Sequence, residues 1–174
     1  TEQNIHTIKD INGNTFRWVT KQFRIAIPDA IKKQLATLPD TSLPPKLKNA
    51  PFIDLGFAAE YSSRNELIAQ PTGRGYGTQL FAYLPAKKRY EGLPFFVNSS
   101  FLLNATRTEL LPNNEWNKFI LEQVGYYQFE WFKELAQEAH FRLSVTDLIV
   151  KYADNTKDFY NKAINAGVKK AQNE

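Results

Sequence analysis

The sequence predicts an α/β (α+β) domain in which helices cover a mixed sheet, followed by a C-terminal helical appendage. Apolar residues alternate with a period of two along much of the chain before Pro112, which is typical of half-buried strands. After Pro112 the period lengthens to three and four residues, which is typical of an amphipathic helix. The chain has 174 residues, 43% hydrophobic and 14% aromatic, so it can fill a core of its own.

The chain divides into three parts. Residues 1–14 are polar and contain the turn signal Asn12-Gly13-Asn14, and we interpret them as a lead-in from a preceding domain. Residues 15–139 form the α/β domain, and residues 140–174 form a short helical segment. Because the chain contains no Met, we expect it to be part of a longer polypeptide.

Period-two alternation predicts strands that we expect to form one mixed sheet. The clearest strand is Phe52–Tyr61, in which small and polar residues alternate with Ile53, Leu55 and Phe57. Residues 16–27 alternate in two runs, the first with Phe16 and Trp18 and the second with Phe23 and Ile25. The remaining strands are residues 78–84 and the pair Leu93–Val97 and Phe101–Leu103.

Helices are predicted between and after these strands. Pro28 and Asp29 open a short helix in which Ile31, Leu35 and Leu38 share a face. A long helix runs from about Asn114 to Ala139, with Asn113 or Asn114 as its cap. Its buried face carries Trp116, Ile120, Val124, Tyr127, Trp131 and Leu135.

Two shorter helices are expected in the last part of the chain. Ser144 and Asp147 resemble a capping box before Leu148. Asn155 precedes a second apolar pattern that begins at Phe159. These two helices make up the predicted appendage.

Composition argues against several classes of function. The net charge of +4 comes from scattered basic residues with acidic residues between them, which predicts a solvated surface rather than a nucleic-acid-binding face. With no Cys, and with His6 and His140 as the only histidines, neither a zinc site nor a Ser/His/Asp hydrolase is favoured. Asp54, a carboxylate in an apolar strand, has no evident second carboxylate for glycosidase chemistry.

The glycine-rich run Gly73–Gly77 has the composition of a phosphate-binding loop. It precedes a strand, however, whereas a phosphate cradle needs backbone amides at the N-terminus of a helix. We therefore interpret it as a flexible connection between strands.

The polar turn after Phe101–Leu103 is the strongest candidate site. It carries Asn104, Thr106 and Arg107, and a helix follows within a few residues. The planar guanidinium of an arginine suits phosphate oxygens. Alternatively, Arg107 pairs with Glu109 or Glu115 and stitches the turn. The spacing alone favours neither reading.

Residues 78–124 contain a series of short elements in a set order: Leu84-Pro85, Gly92-Leu93-Pro94, Phe101-Leu102-Leu103, Arg107 and Trp116-Asn117. With this series the segment resembles the region that follows the ATP-binding module in sacsin-type proteins of the GHKL superfamily of ATPases. The turn Leu103–Arg107 is also similar to the Leu-Asn-x-Ser-Arg turn in the middle domain of the ninety-kilodalton heat-shock chaperones. It departs from that pattern at Thr108 and Leu111, where the chaperones carry Glu and Gln.

The resemblance implies the middle, or transducer, domain of such an ATPase, with a left-handed βαβ fold like a domain of a small-subunit ribosomal protein. ATP and magnesium then bind to a neighbouring N-terminal domain. The chain presents Arg107, beside Asn104 and Thr106, to the γ-phosphate, and so couples hydrolysis to conformational change without being catalytic alone.

The resemblance also implies partners and a location. The first partner is the N-terminal ATP-binding domain of the same polypeptide, and a homodimer of the intact protein and a protein client are others. A membrane or nucleic-acid partner is not expected, and the absence of Cys fits a cytoplasmic protein.

A second reading makes the chain a non-enzymatic module that binds protein or nucleic acid. The basic loop Lys87–Arg89 and the C-terminal helices would then read the partner, with Asn161, Lys162 and Asn165 on the reading helix. Ordinary surface helices carry such residues too.

Overall fold

The computed structural model describes residues 4–37, 47, 50–69, 79–86, 93–150, 152 and 155–174. The strands in this part are β1 (Asn4–Lys9), β2 (Thr15–Ala26), β3 (Phe52–Tyr61), β4 (Leu67–Ile68), β5 (Leu80–Ala82), β6 (Leu84–Pro85) and β7 (Phe96–Asn98). They form one sheet in the order β1-β2-β3-β7-β5-β6, with β4 paired to the end of β3. β5 and β7 run parallel and the other pairs are antiparallel. The prediction of one mixed sheet is confirmed.

The helices whose bounds lie in the described residues are α1 (Asp29–Thr37), α2 (Glu115–Gln137) and α3 (Phe159–Gln172), and a 3-10 helix spans Ser144–Leu148. The predicted cap of α2 is confirmed, because the side chain of Asn114 accepts the backbone N–H of Asn117 at 3.0 Å. The mixed α/β class follows from these helices and the sheet.

The segment interpreted as a polar lead-in contains a strand, β1, that the sequence pattern did not predict. β1 pairs with β2 along its whole length, and the side chain of Asp10 holds the turn by accepting the backbone N–H groups of Asn12 and Asn14. Every residue of β1 is exposed. Because neither face is buried, the sequence carries no apolar alternation there.

β2 is one continuous strand, although its apolar residues change phase midway. Trp18 lies on one face of the sheet, whereas Val19 and Ile25 lie on the other and are buried. Lys21 occupies the buried face between them, and its ammonium binds the carboxylate of Glu134 on α2 at 2.6 Å. The change of phase thus reflects a change of apolar face within one strand.

α2 covers one face of the sheet. Trp131 stacks on Phe57 of β3 with ring centroids 5.3 Å apart, and it meets Phe95 edge to face. The predicted buried face of α2 is confirmed for Trp116, Ile120, Val124, Trp131 and Leu135, all of which are buried, while Tyr127 is half-buried.

The segment 140–174, predicted as an appendage, adds Phe141, Leu148 and Ile164 to the same hydrophobic core as the sheet. α3 crosses α2 at two glycines. A Cβ at Gly125 would overlap the carbonyl oxygen of Ile164, and a Cβ at Gly167 would overlap that of Glu122. The two helices therefore touch backbone to backbone.

The predicted capping box in this segment is wrong. Ser144 lies inside the 3-10 helix, where its hydroxyl accepts the backbone N–H of Leu67 at 2.9 Å instead of capping. α3 follows as predicted, and its cap is Asp158, whose carboxylate accepts two backbone N–H groups of the first turn.

The predicted strand pair before α2 is wrong in part. A short strand, β7, starts within Leu93–Val97, but Phe101–Leu103 is not a strand. The side chain of Asn117 binds both backbone hydrogen-bonding groups of Leu102, and the Leu102 carbonyl also accepts the backbone N–H of Leu111 at 2.9 Å. Pairing of this segment is limited to the bridge between Leu103 and Leu110.

Some expectations stay predictions. The described part of the connection between the parallel strands β5 and β7 contains β6 and no helix, so the left-handed βαβ unit is not among the described residues. The runs Gly73–Gly77 and Lys87–Arg89, and Leu38 of the short helix, also lie outside them.

Candidate functional site

The turn that carries Arg107 is closed by backbone pairing at its two ends, and the side chain of Asn104 forms hydrogen bonds across it. Leu103 and Leu110 form an antiparallel bridge, and the backbone N–H of Asn104 donates to the carbonyl of Glu109 at 2.9 Å. The Asn104 side-chain oxygen accepts the backbone N–H of Thr108 at 2.8 Å, and its amide donates to the Thr108 hydroxyl. Such side-chain bonds to a turn's own backbone favour a single conformation.

Arg107 stands at the tip of this turn in a left-handed backbone conformation, with φ of 56°. Its side chain is exposed, and Nη2 donates to the carbonyl oxygen of Ala82, the last residue of β5, at 3.2 Å. A guanidinium has five N–H donors, and no other described residue accepts from this one. The geometry leaves most of the guanidinium open to a ligand.

The two acidic partners considered for Arg107 do not pair with it. Glu115 binds Lys118 at 3.1 Å, and none of the ion pairs in the described part of the chain joins Arg107 to Glu109. The alternative in which Arg107 stabilises the turn through an ion pair with Glu109 or Glu115 therefore finds no support in the described contacts.

The other two predicted site residues make contacts within the turn. The hydroxyl of Thr106 donates to the Asn104 side chain at 3.1 Å and lies 2.9 Å from the Thr108 hydroxyl. Asn104 and Thr106 thus lie beside Arg107, as the sequence analysis expected, and their polar atoms hold the turn in shape.

The first turn of α2 holds the chain just before the Arg107 turn. The indole N–H of Trp116 donates to the carbonyl of Ser100 at 2.7 Å. Asn117, which is fully buried, binds Leu102 with both ends of its amide: Oδ1 accepts the backbone N–H and Nδ2 donates to the carbonyl, each at 2.8 Å. Buried amides are costly unless satisfied in this way.

α3 holds the chain just after the turn. The hydroxyl of Tyr160, in the first turn of α3, donates to the carbonyl of Leu111. Burial raises the pKa of this phenol above its ordinary value of 10.0, and the group is a donor at neutral pH in either case. Sequence analysis did not single out Tyr160 or the role of Asn117, because their partners are backbone atoms.

Tyr83 directly follows Ala82, whose carbonyl oxygen accepts the hydrogen bond from Arg107. It has φ of 62° and its side chain is 80% exposed. Its backbone N–H donates to the side chain of Asn98 at 3.2 Å, and its hydroxyl lies 3.4 Å from that of Ser100. Two left-handed non-glycine residues, Tyr83 and Arg107, are therefore joined through the Ala82 carbonyl. Backbone outliers of this kind cluster at functional sites.

A groove of about 550 Å³ opens on the sheet face opposite α2. Gly56 and Ala58 of β3 leave room there for Trp18 and Phe96, whose rings lie 5.2 Å apart. Arg107 does not line the groove, but Phe81 and Tyr83, on either side of its acceptor Ala82, do.

The remaining candidates from the sequence have ordinary roles. His6 lies 3.1 Å from the Thr20 hydroxyl, and the exposed His140 packs on the ring of Phe141. Asp54 binds Arg24 of the neighbouring strand at 3.0 Å. The residues that the structure describes contain no cluster of His, Cys, Asp or Glu suited to a metal ion.

Comparison with known proteins adds no relative: no family model, curated protein or solved structure matches the chain. Within the described residues, none of the helices has the length and apolar character that a membrane span requires.

The contacts of the C-terminal helix bear on the alternative reading of the chain. The Asn165 amide donates to the carbonyl of Tyr152 at 3.4 Å, and the ammonium of Lys170 lies over the ring of Tyr126. Asn161 is half-buried and Lys162 is exposed. Nucleic-acid binding by this helix stays a prediction.

Proposed function

We propose that this chain is the transducer domain of a GHKL-type ATPase and that Arg107 contacts the γ-phosphate of ATP held by a neighbouring N-terminal domain. The observation that carries the proposal is an exposed guanidinium, without an acidic partner among the described residues, on a turn fixed by internal hydrogen bonds. The sacsin-type resemblance of residues 78–124 supports the same reading, and the left-handed βαβ transducer fold belongs to this proposal.

The chemistry asked of Arg107 is electrostatic. Phosphoryl transfer develops charge on phosphate oxygens, and an arginine placed there can raise the rate by roughly 10³-fold or more. ATP and magnesium, held by the neighbouring domain, supply the reacting phosphate and its counter-ion. The open donors of Arg107 fit phosphate oxygens, and contact with them would tie closure of the two domains to hydrolysis.

The parent protein supplies the other partners. Its N-terminal ATP-binding domain is the direct one, and we also propose a homodimer and a protein client. Proteins without cysteine are common in reducing compartments, and we assign the parent to the cytoplasm on that ground.

The test is turnover and thermal unfolding of the full-length ATPase with Arg107 replaced. We expect Arg107→Ala to lower kcat by about tenfold or more and to change ATP affinity much less, because the group acts on the transition state. Arg107→Lys should not restore full activity, since one ammonium cannot reproduce the planar fork.

Arg107→Gly separates catalysis from stability more sharply. A left-handed conformation costs a residue with a Cβ about 1–2 kcal/mol, and glycine escapes that cost. The added freedom of glycine in the unfolded chain offsets about 0.5–1 kcal/mol of the gain. We therefore expect an unchanged or slightly higher Tm together with the loss of turnover.

Arg142→Ala is the matched control. Arg142 is also exposed and also donates to a backbone carbonyl, that of Ala136, at 3.2 Å. It lies beyond α2, away from the turn, and its replacement should leave kcat unchanged. Equal kcat for the Arg107→Ala, Arg142→Ala and wild-type proteins would refute the proposed function.

A further inference from the structure

We infer that Asn117 of α2 is a positioning residue for Arg107, and that α3 completes the frame through Tyr160. The inference rests on the proposed function, in that it assigns a role in turnover to residues that touch no ligand. Three links carry it: the grip of Asn117 on Leu102, the rigidity of the chain from Leu102 to Arg107, and the second grip at Leu111.

The first link is the amide of Asn117. It is completely buried, and its two hydrogen bonds satisfy both backbone groups of Leu102. A backbone N–H normally finds its acceptor in a neighbouring strand, and here a helical side chain supplies it. The Leu102 carbonyl accepts from that same side chain and from the backbone N–H of Leu111 on the outgoing side of the turn. The position of Leu102 is therefore set by α2 and by the turn itself, and not by a strand of the sheet.

The second link is the short path from Leu102 to Arg107. The next residue, Leu103, is bridged to Leu110, and Asn104 bonds to the backbone of Thr108 across the turn. The backbone N–H of Arg107 donates to the carbonyl of Asn104 at 2.9 Å. With each step held, a displacement at Leu102 is passed to Arg107 and is not absorbed by the loop.

The third link is the hydroxyl of Tyr160 on the carbonyl of Leu111, directly after the Leu103–Leu110 bridge. The turn is thus held by α2 on its incoming side and by α3 on its outgoing side. This gives residues 140–174 a place in the positioning of the site.

The consequence is kinetic. A misplacement of about 1 Å from a mutation away from the chemistry can cost about 100-fold in rate. Removal of the Asn117 amide should lower kcat by about tenfold and leave the KM for ATP within about twofold, because the nucleotide is held by another domain.

The main experiment compares Asn117→Ala with Gln128→Ala in the full-length ATPase. Gln128 is also a completely buried amide of α2 with two hydrogen bonds, to the carbonyl of Gly125 and from the backbone N–H of Val150. Neither partner belongs to the Arg107 turn. Both variants should lower Tm, but the kcat of folded enzyme should fall in Asn117→Ala only.

A double-mutant cycle with Arg107→Ala identifies the route of the effect. If Asn117 acts through Arg107, Asn117→Ala should lower kcat in the wild-type background and not in the Arg107→Ala background. Independent roles would instead multiply the two effects.

A milder pair of variants keeps the inference testable if Asn117→Ala does not fold. Tyr160→Phe removes only the hydroxyl and should lower kcat severalfold with little change in Tm. The control, Tyr126→Phe, removes the hydroxyl that donates to Glu174 beyond the other end of α3, and it should leave kcat unchanged.

The outcomes are distinct. A loss of kcat in Arg107→Ala together with wild-type kcat in Asn117→Ala and Tyr160→Phe overturns the inference and leaves the proposed function standing. Multiplicative effects in the cycle also overturn it. Wild-type kcat in Arg107→Ala overturns the proposed function and the inference with it.

Discussion

Two tryptophans, Trp116 near the start of α2 and Trp131 near its end, are both almost fully buried but are held in different ways. The indole N–H of Trp116 donates to the carbonyl of Ser100, whereas the indole N–H of Trp131 has no acceptor among the described residues. Trp131 is held by rings instead, stacked on Phe57 and edge to face with Phe95.

The difference indicates that the two ends of α2 have different roles, one in core packing and one in positioning the chain toward Arg107. Ring packing in the second half buries a large apolar area, so it contributes mostly free energy of folding. Hydrogen bonds to the backbone in the first turn fix the path of the chain toward Arg107. Substitutions in both halves should therefore lower stability, whereas only those in the first half should lower turnover.

The largest expected effect is on stability. Trp131→Ala should lower the free energy of unfolding by about 3–5 kcal/mol, because it removes a completely buried ring system and leaves a cavity against the sheet. Urea denaturation of the purified chain measures this change. The kcat of folded full-length enzyme should stay near wild type, and a large fall would show that the two ends of α2 do not act separately.

Trp116→Phe should give a smaller effect on stability and a larger one on turnover. It retains most of the apolar volume but leaves the Ser100 carbonyl without its donor, at a cost of about 1–3 kcal/mol. We also expect a lower kcat, measured alongside Trp131→Ala at equal fractions of folded protein. An intact kcat in Trp116→Phe would remove the contrast between the ends.

The smallest effect concerns Glu122, which lies between the two ends. Partial burial raises the pKa of this carboxyl, with a contribution from Glu115, while Lys118 and Lys170 oppose the rise. Between the ordinary value of 4.5 and the raised pKa, the native state binds more protons than the unfolded chain. The free energy of unfolding therefore falls as pH rises through this window.

Glu122→Gln should remove that part of the pH dependence. Urea midpoints of wild type and variant, measured from about pH 4 to pH 7, should diverge as pH rises, with the variant the more stable. Parallel curves would show that Glu122 titrates alike in the folded and unfolded states.

The sequence could predict those parts of the fold in which one buried face gives a periodic spacing of apolar residues. The face of α2 and the alternation in β3 were found in this way. β1 was missed because it is exposed on both faces, and Ser144 was taken for a cap because its spacing to Asp147 is right. The bond from Leu67 that occupies the Ser144 hydroxyl comes from a distant part of the chain and leaves no local signal.

The candidate site was predictable only as far as residue chemistry reaches. An arginine in a polar turn between apolar segments identified Arg107, and its neighbours Asn104 and Thr106 came with it. The grip of Asn117 on Leu102 was not predictable, since its partners are backbone atoms common to every residue. The sequence also indicated a strand at Phe101–Leu103, where the backbone pairing is limited to one bridge and the side chain of Asn117 binds the backbone of Leu102.

The crossing of α2 and α3 at Gly125 and Gly167 sets the register of the two helices. If α3 slid by one residue, Ala166 or Val168 would bring a Cβ against the carbonyl of Glu122, where only glycine fits. The crossing therefore allows only one axial position of α3 relative to α2. Tyr160 lies seven residues, or about 10.5 Å, before Gly167 along the helix. The glycines at the crossing thus determine the axial position along α2 at which the hydroxyl of Tyr160 reaches the segment that follows Arg107.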